Sequence, residues 1–268
     1  MQQPPPPAFP FPPRPDLPPS SPRRARRAWV LPVVLVTLLA LLAMALGTIG
    51  RVGRGSVHGQ HRFLEALPDG TPYRWNPCQP IHYEVNLTDA PDGAMADVRE
   101  AVQRVSDATG IAFVFDGVTA RTVDAQIGTA FQDTTPEGSR WLPLLVAWIP
   151  HEHFDFLVDT HKAVAFGEPQ RGQGDIAYEY VSGVVAVATG ESLPPGFGQR
   201  SSRGVVLMHE LAHVMGLGHV RSGDELMWSP EVQGATEYPN LFRTSWGPGD
   251  LEGLELLGRD AGCLAPRG

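Results

Sequence analysis

Residues 208–228 read MHELAHVMGLGHVRSGDELMW and hold three of the chain's nine histidines: His209, His213 and His219. Residues four apart share one face of a helix, so His209 and His213 direct two imidazoles at one point, about 2 Å from each nitrogen when a metal sits there. A continuing helix would carry His219 away from that point. Gly216, free to take a positive φ, lets the chain turn and bring His219 back. Three neutral nitrogen donors with an open fourth position form the catalytic rather than the structural pattern for zinc. Glu210 lies one residue further round, displaced from ligation but close enough to hydrogen-bond a water in the open position. Two histidines four apart arise often by accident. The full HExxHxxGxxH fixes five positions and arises by accident in about one chain in ten thousand of this composition.

Outward from this stretch, the charge is unevenly spread. Residues 1–50 carry five Arg against one acidic residue, while residues 51–268 carry sixteen Lys and Arg against twenty-eight Asp and Glu, a net charge of −12. An acidic body without a concentrated positive surface argues against nucleic acid as a partner. The only cysteines, Cys78 and Cys263, stand near the two ends of the segment that reads as folded. In an oxidising compartment they could close a long loop, worth roughly 3 to 5 kcal/mol in the chain-entropy model; the alternative is two separate buried thiols.

The N-terminal quarter divides into three pieces. Residues 1–28 open with MQQPPPPAFPFPPRPDLPPSSP, whose prolines predict a disordered, polyproline-rich cytoplasmic tail. Four arginines between 23 and 27 then precede a run from Ala28 to Gly50 without one charge. Such a run reaches about 34 Å as a helix, enough to cross a hydrocarbon layer of about 30 Å. Residues 29–50 therefore read as a transmembrane signal-anchor, with Trp29 at the interface and, by the positive-inside rule, the C-terminal body outside the cell. Secretion after cleavage near Ala45, at the small-x-small AMA, is the competing reading. The paired arginines also invite a twin-arginine signal, which the residues after them do not complete. All three routes export the body. Residues 51–70 show no periodicity and read as a stalk, with His58 and His61 exposed.

The body itself alternates element types. PIHYEVNL (80–87) has the period of a half-buried strand. Residues 91–110 place Ala94, Val98, Ala101, Val102, Val105 and Ala108 at helical spacing, with Asp92 as a cap and Gly110 as a stop. Short apolar runs at 111–115, 144–149, 163–166 and 183–189 read as further strands. The sum is an α+β domain over residues 71–268. No fixed-period repeat, glycine-rich phosphate loop or Gly-x-Ser-x-Gly elbow occurs.

With His209, Glu210, His213, Gly216 and His219 in place, the chain resembles the metzincin metallopeptidases. That family carries a methionine-bearing turn beneath the zinc, and DELMWSP supplies Met227 at the separation of the matrixin branch. YRWNPCQPIHYEVN (73–86) and SWGPGDLEGLELLGRDAGCL (245–264) look like the flanks of bacterial matrixin-like proteases, so the likeness covers roughly residues 70 to 268. It implies a twisted mixed sheet, an active-site helix, a methionine turn and a C-terminal helix over GPGDLEGLELLG. It also implies KAVAFG (162–167) as the edge strand that pairs with an extended substrate, and Cys78 paired with Cys263.

The activity so implied is zinc-dependent endopeptidase action on protein or peptide substrates, with one catalytic Zn2+ and Glu210 as general base to a zinc-activated water. Met227 would pack beneath the ligands. Tyr238 is a weak candidate for an added oxyanion donor. Ca2+ is admitted by the resemblance, but the sequence singles out no ligands for it, and it carries no signal of oligomeric state. The chain departs from animal matrixins in lacking their cysteine-switch propeptide, a job Cys78 could take only if it were not paired. His151, His153 and His161 in HEHFDFLVDTH do not match the spacing of the second, structural zinc of those enzymes and read as a polar loop. The rivals are a non-catalytic zinc-containing cell-surface module that holds peptides without cutting, and a zinc hydrolase acting on cell-wall peptides.

Overall fold

The computed structural model describes residues 59–123, 131–135, 138–151, 164–235 and 243–264. The tail at 1–28, the span at 29–50, His58, His153, His161 and Tyr238 lie outside them. Among the described residues no helix is long and apolar enough to cross a membrane.

A five-stranded mixed sheet forms the frame, in the order β2-β1-β5-β7-β6. Its strands are β1 (Ile81–Asn86), β2 (Phe113–Val118), β5 (Leu144–Ile149), β6 (Ala165–Arg171) and β7 (Tyr180–Ala188); β3 (Gln132–Thr135) and β4 (Gly138–Trp141) make a separate antiparallel pair. β2, β1, β5 and β7 run parallel, and β6 joins the edge antiparallel to β7. The uninterrupted apolar run LLVAWI is wholly buried, as a central strand covered on both faces requires. Its alternate side chains part company: Leu144, Val146 and Trp148 enter the main core, whereas Leu145, Ala147 and Ile149 pack with Val123, Phe131, Val184 and Ala186 on the opposite face.

The main core lies between the sheet and three helices, α1 (Ala94–Thr109), α2 (Arg203–Met215) and α3 (Pro248–Leu257). α1 buries Ala94, Val98, Ala101, Val102 and Val105 and ends where Gly110 turns at φ 68°. Its N-cap is Gly93 rather than Asp92, whose carbonyl instead accepts from Arg203 Nη2 at 3.0 Å. Arg203 also meets Asp97 at 2.7 Å, both nearly buried, and so fixes the start of α2 to the first turn of α1. Cys78, before β1, and Cys263, after α3, are joined in a disulfide with their Cα atoms 5.4 Å apart.

The segment read as a stalk behaves differently from residue 59 onward. Leu64 N–H donates to Gly216 O at 2.8 Å and Gly218 N–H to Arg62 O at 2.7 Å, so residues 62–64 pair with the turn that follows α2. His61 packs on Phe63, its ring centre 5.4 Å away, and is not exposed. A segment with no periodicity of its own is ordered here because its backbone groups find partners in a turn that has spare ones.

Candidate metal centre and cleft

α2 carries His209, Glu210 and His213 on a helix buried along most of its length. At its C-terminus Gly216 adopts φ 114°, and its N–H closes on the carbonyls of Ala212 and His213. A side chain there would be strained and would press on the Tyr180 ring, 3.1 Å from the Cβ position. The chain reverses, and His219 Nε2 comes to 3.1 Å from His209 Nε2 and 3.0 Å from His213 Nε2. Among the described residues these three form the one cluster that could hold a metal ion.

The opposite ring nitrogens decide the tautomers. His209 Nδ1 lies 3.0 Å from Leu226 O, and His213 Nδ1 lies 2.7 Å from Leu217 O. A carbonyl only accepts, so each Nδ1 carries the proton and each Nε2 presents a lone pair. Burial, reinforced by the neighbouring histidines, holds His209 well below its ordinary range. Burial, then the field of His219, pushes His213 down to about 3. His219 is lowered too, mainly by burial. Neutral nitrogens with lone pairs facing one another repel unless a cation lies between them. Tetrahedral zinc at 2.0–2.1 Å from each nitrogen sets such donors roughly 3.3 Å apart, close to the separations found. The donor set therefore fits zinc, with the carbonyls of Leu226 and Leu217 orienting two of the ligands.

Glu210 is 8% exposed, and burial raises its carboxyl to about 8, against a backbone N–H bond from Gly167 that lowers it. Gly167 belongs to β6, which packs directly on α2: a Cβ at residue 167 would stand 2.0 Å from Glu210 O. The edge strand thus comes as near to the glutamate as backbone permits. Met227, 1% exposed, belongs to the main core, and its carbonyl accepts from Val220 N–H at 2.9 Å, one residue after His219. Its turn is held in place from α3, where Asp250 accepts the N–H groups of Leu226 and Met227.

A pocket of about 270 Å³ opens beside His209 and Glu210, walled by Val164, Val205, Val206, Leu226, Trp228 and Arg200. A larger one, about 370 Å³, lies at Trp75, Ile81, Trp141 and Leu144 and contains none of the three histidines. His151 stands 3.7 Å from Glu191, apart from the cluster.

Sequence reading placed Gly167 on the edge strand but not against Glu210, and overlooked Asp250, Glu225, Arg200 and the 60–64 segment. Of those overlooked, Asp250 left a trace, as the acid in the first turn of a helix opened by Gly-Pro.

No family model matches this chain, and no curated protein does. Among solved structures it is similar to high choriolytic enzyme 1, a hatching-enzyme zinc protease from the medaka fish Oryzias latipes, at 11% identity and a TM-score of 0.38, over 73% of this chain and 98% of that one. It is also similar to a zinc-dependent peptidase from Methanocorpusculum labreanum, at 12% identity and a TM-score of 0.28, over 65% of this chain and 99% of that one.

Proposed function

We propose that this chain is a zinc-dependent endopeptidase of the metzincin type, matrixin-like in its methionine turn. The observation that carries the reading is the convergence of three Nε2 nitrogens, 3.0–3.1 Å from His219 to each of the others, directly beside the buried carboxyl of Glu210. His209, His213 and His219 would hold the ion. Zinc held there would supply Lewis-acid chemistry, lowering the pKa of a water toward about 7. Glu210 takes the water's proton on its carboxylate and delivers it to the departing amide nitrogen. β6 pairs only with β7 among the described residues, so its outer edge can take an extended peptide as a further strand.

Residues 29–50 would anchor the domain in the membrane with residues 51–268 outside. Support comes from the four arginines before the charge-free run and from the Cys78–Cys263 disulfide, which suits an oxidising compartment.

The test is metal analysis and incubation with a peptide library, comparing the parent with Glu210→Ala and His213→Ala. Glu210→Ala is expected to keep zinc and lose nearly all hydrolysis, and His213→Ala to lose both. A parent that binds zinc and cuts nothing would make the chain a peptide-holding module instead.

A further inference from the structure

Three N–H donors beyond Glu210 are buried without any acceptor: Arg200 Nη1, Trp228 Nε1 and Arg243 Nε. Arg200 and Trp228 both wall the pocket beside His209, with the guanidinium carbon 5.3 Å from the Trp228 ring centre. Arg200 Nη2 donates to Trp228 O at 3.2 Å and Leu226 O at 3.4 Å, so the methionine turn holds this side chain, not a carboxylate. Arg243 gives Nη1 to Trp246 O at 3.1 Å and stands near enough to Arg200 for their charges to oppose. Asp250 is the acid whose field reaches both arginines. Its oxygens are already engaged by the N–H groups of Gly247, Leu226 and Met227.

The pocket therefore combines an apolar wall with one cationic donor, Arg200, that lacks a counter-ion in contact. A buried donor without an acceptor has lost its hydration and regains a partner only when a ligand brings one. For a guanidinium on an apolar wall with Nη1 left to donate, the matching group is a carboxylate oxygen, which accepts a charge-assisted hydrogen bond. We propose that this pocket receives a carboxylate of the peptide next to the bond that is cut, and that Arg200 is the residue that recognises it. This rests on the peptidase reading and adds its substrate class. The carboxylate has two sources, an aspartate or glutamate side chain flanking the cut bond or the peptide's own C-terminus.

The experiment incubates the zinc-loaded full chain, Arg200→Met and Arg200→Lys with two peptide libraries, one blocked at both ends and one with free C-termini. Mass spectrometry reads the products, and zinc content and melting temperature check each variant. The expected result is enrichment of cuts beside Asp or Glu in the blocked library, with the acid-to-apolar ratio falling about tenfold or more in Arg200→Met and partly restored in Arg200→Lys. Cuts confined to free C-termini, and lost in Arg200→Met, assign the carboxylate to the chain end. An apolar preference in the parent, or an equal loss on all peptides in Arg200→Met, overturns the inference and leaves the peptidase standing.

A second measurement does not depend on cutting. The zinc-loaded Glu210→Ala chain is titrated calorimetrically with blocked peptides bearing a single Asp or a single Leu, with and without Arg200→Met. An Arg200-dependent preference for Asp sustains the pocket assignment even where the parent cuts no peptide, a failure that then falls on the peptidase reading alone. Equal binding of the two peptides overturns the assignment.

Discussion

Glu225 and Asp250 each bind the backbone that carries the other. Glu225 Oε2 accepts from Gly249 N–H at 2.9 Å and from Asp250 N–H at 3.1 Å, while Asp250 accepts from Leu226 and Met227. The exchange satisfies the open N–H groups at the start of α3 and fastens the methionine turn, from which Leu226 O orients His209.

This pair predicts a pH dependence. Burial raises Asp250 above its ordinary 3.8 and Glu225 above its ordinary 4.5. A carboxyl raised on folding binds more protons in the folded than in the unfolded chain, so its contribution to stability falls as pH rises from the unfolded value through the raised folded one, and is level above that. Urea unfolding of parent and Glu225→Gln across pH 4 to 8 checks it. The parent's advantage over the variant should shrink as pH climbs through that window, and a constant difference would contradict the assignment.

Gly167→Ala places a methyl group 2.0 Å from Glu210 O, where backbone meets backbone and no side chain can yield. β6 must back away from α2, at about 1 to 3 kcal/mol for overpacking. The edge strand then stands farther from the helix that carries Glu210. Peptide turnover is expected to fall more than zinc content does, which a paired activity and metal assay would reveal.

Arg203 and Asp97 form a nearly buried ion pair at 2.7 Å. Arg203→Ala leaves the acid without its cation and should cost about 3 to 5 kcal/mol. Replacing both, as Arg203→Met with Asp97→Leu, should cost far less than the sum of the single changes. A double-mutant cycle by denaturant unfolding measures the difference.

The 60–64 segment reaches His213, one of the three candidate metal ligands, through the turn after α2. Gln60 Oε1 accepts the N–H groups of Arg221 and Ser222, and residues 62–64 bracket Gly216 and Gly218 on either side of Leu217, whose carbonyl orients His213. A chain beginning at residue 66 should hold zinc roughly ten to a hundred times more weakly than one beginning at residue 57, the usual cost of losing groups that orient ligands. Competition with a chelator reads the two affinities directly.

What the sequence disclosed follows the range of the interactions. His209, His213, Gly216 and His219 are legible because a helix and one turn relate them, and both are local rules. LLVAWI announced a central strand through its composition, and the α1 face through its period. The β3–β4 pair went unread because QDTT and GSRW alternate no apolar residues. Gly167 against Glu210, Glu225 against Gly249, and Gln60 against Arg221 join positions from 24 to 161 residues apart. Such contacts arise from tertiary packing, and nothing in their local sequence distinguishes the residues that make them. The stalk misreading has the same origin: residues 60–64 borrow their order from a turn far along the chain.

The bond between Cys78 and Cys263, 185 residues apart, also sets a timetable. During synthesis the helix bearing His209 and His213 emerges well before α3, and without α3 the methionine turn lacks the anchor at Asp250. The ribosome must release nearly the whole domain before that anchor exists, and oxidation can clasp the two ends only afterwards. On the peptidase reading, the chain would thus be inert while it is itself an unfolded peptide, its first safeguard being the order in which its own residues are made.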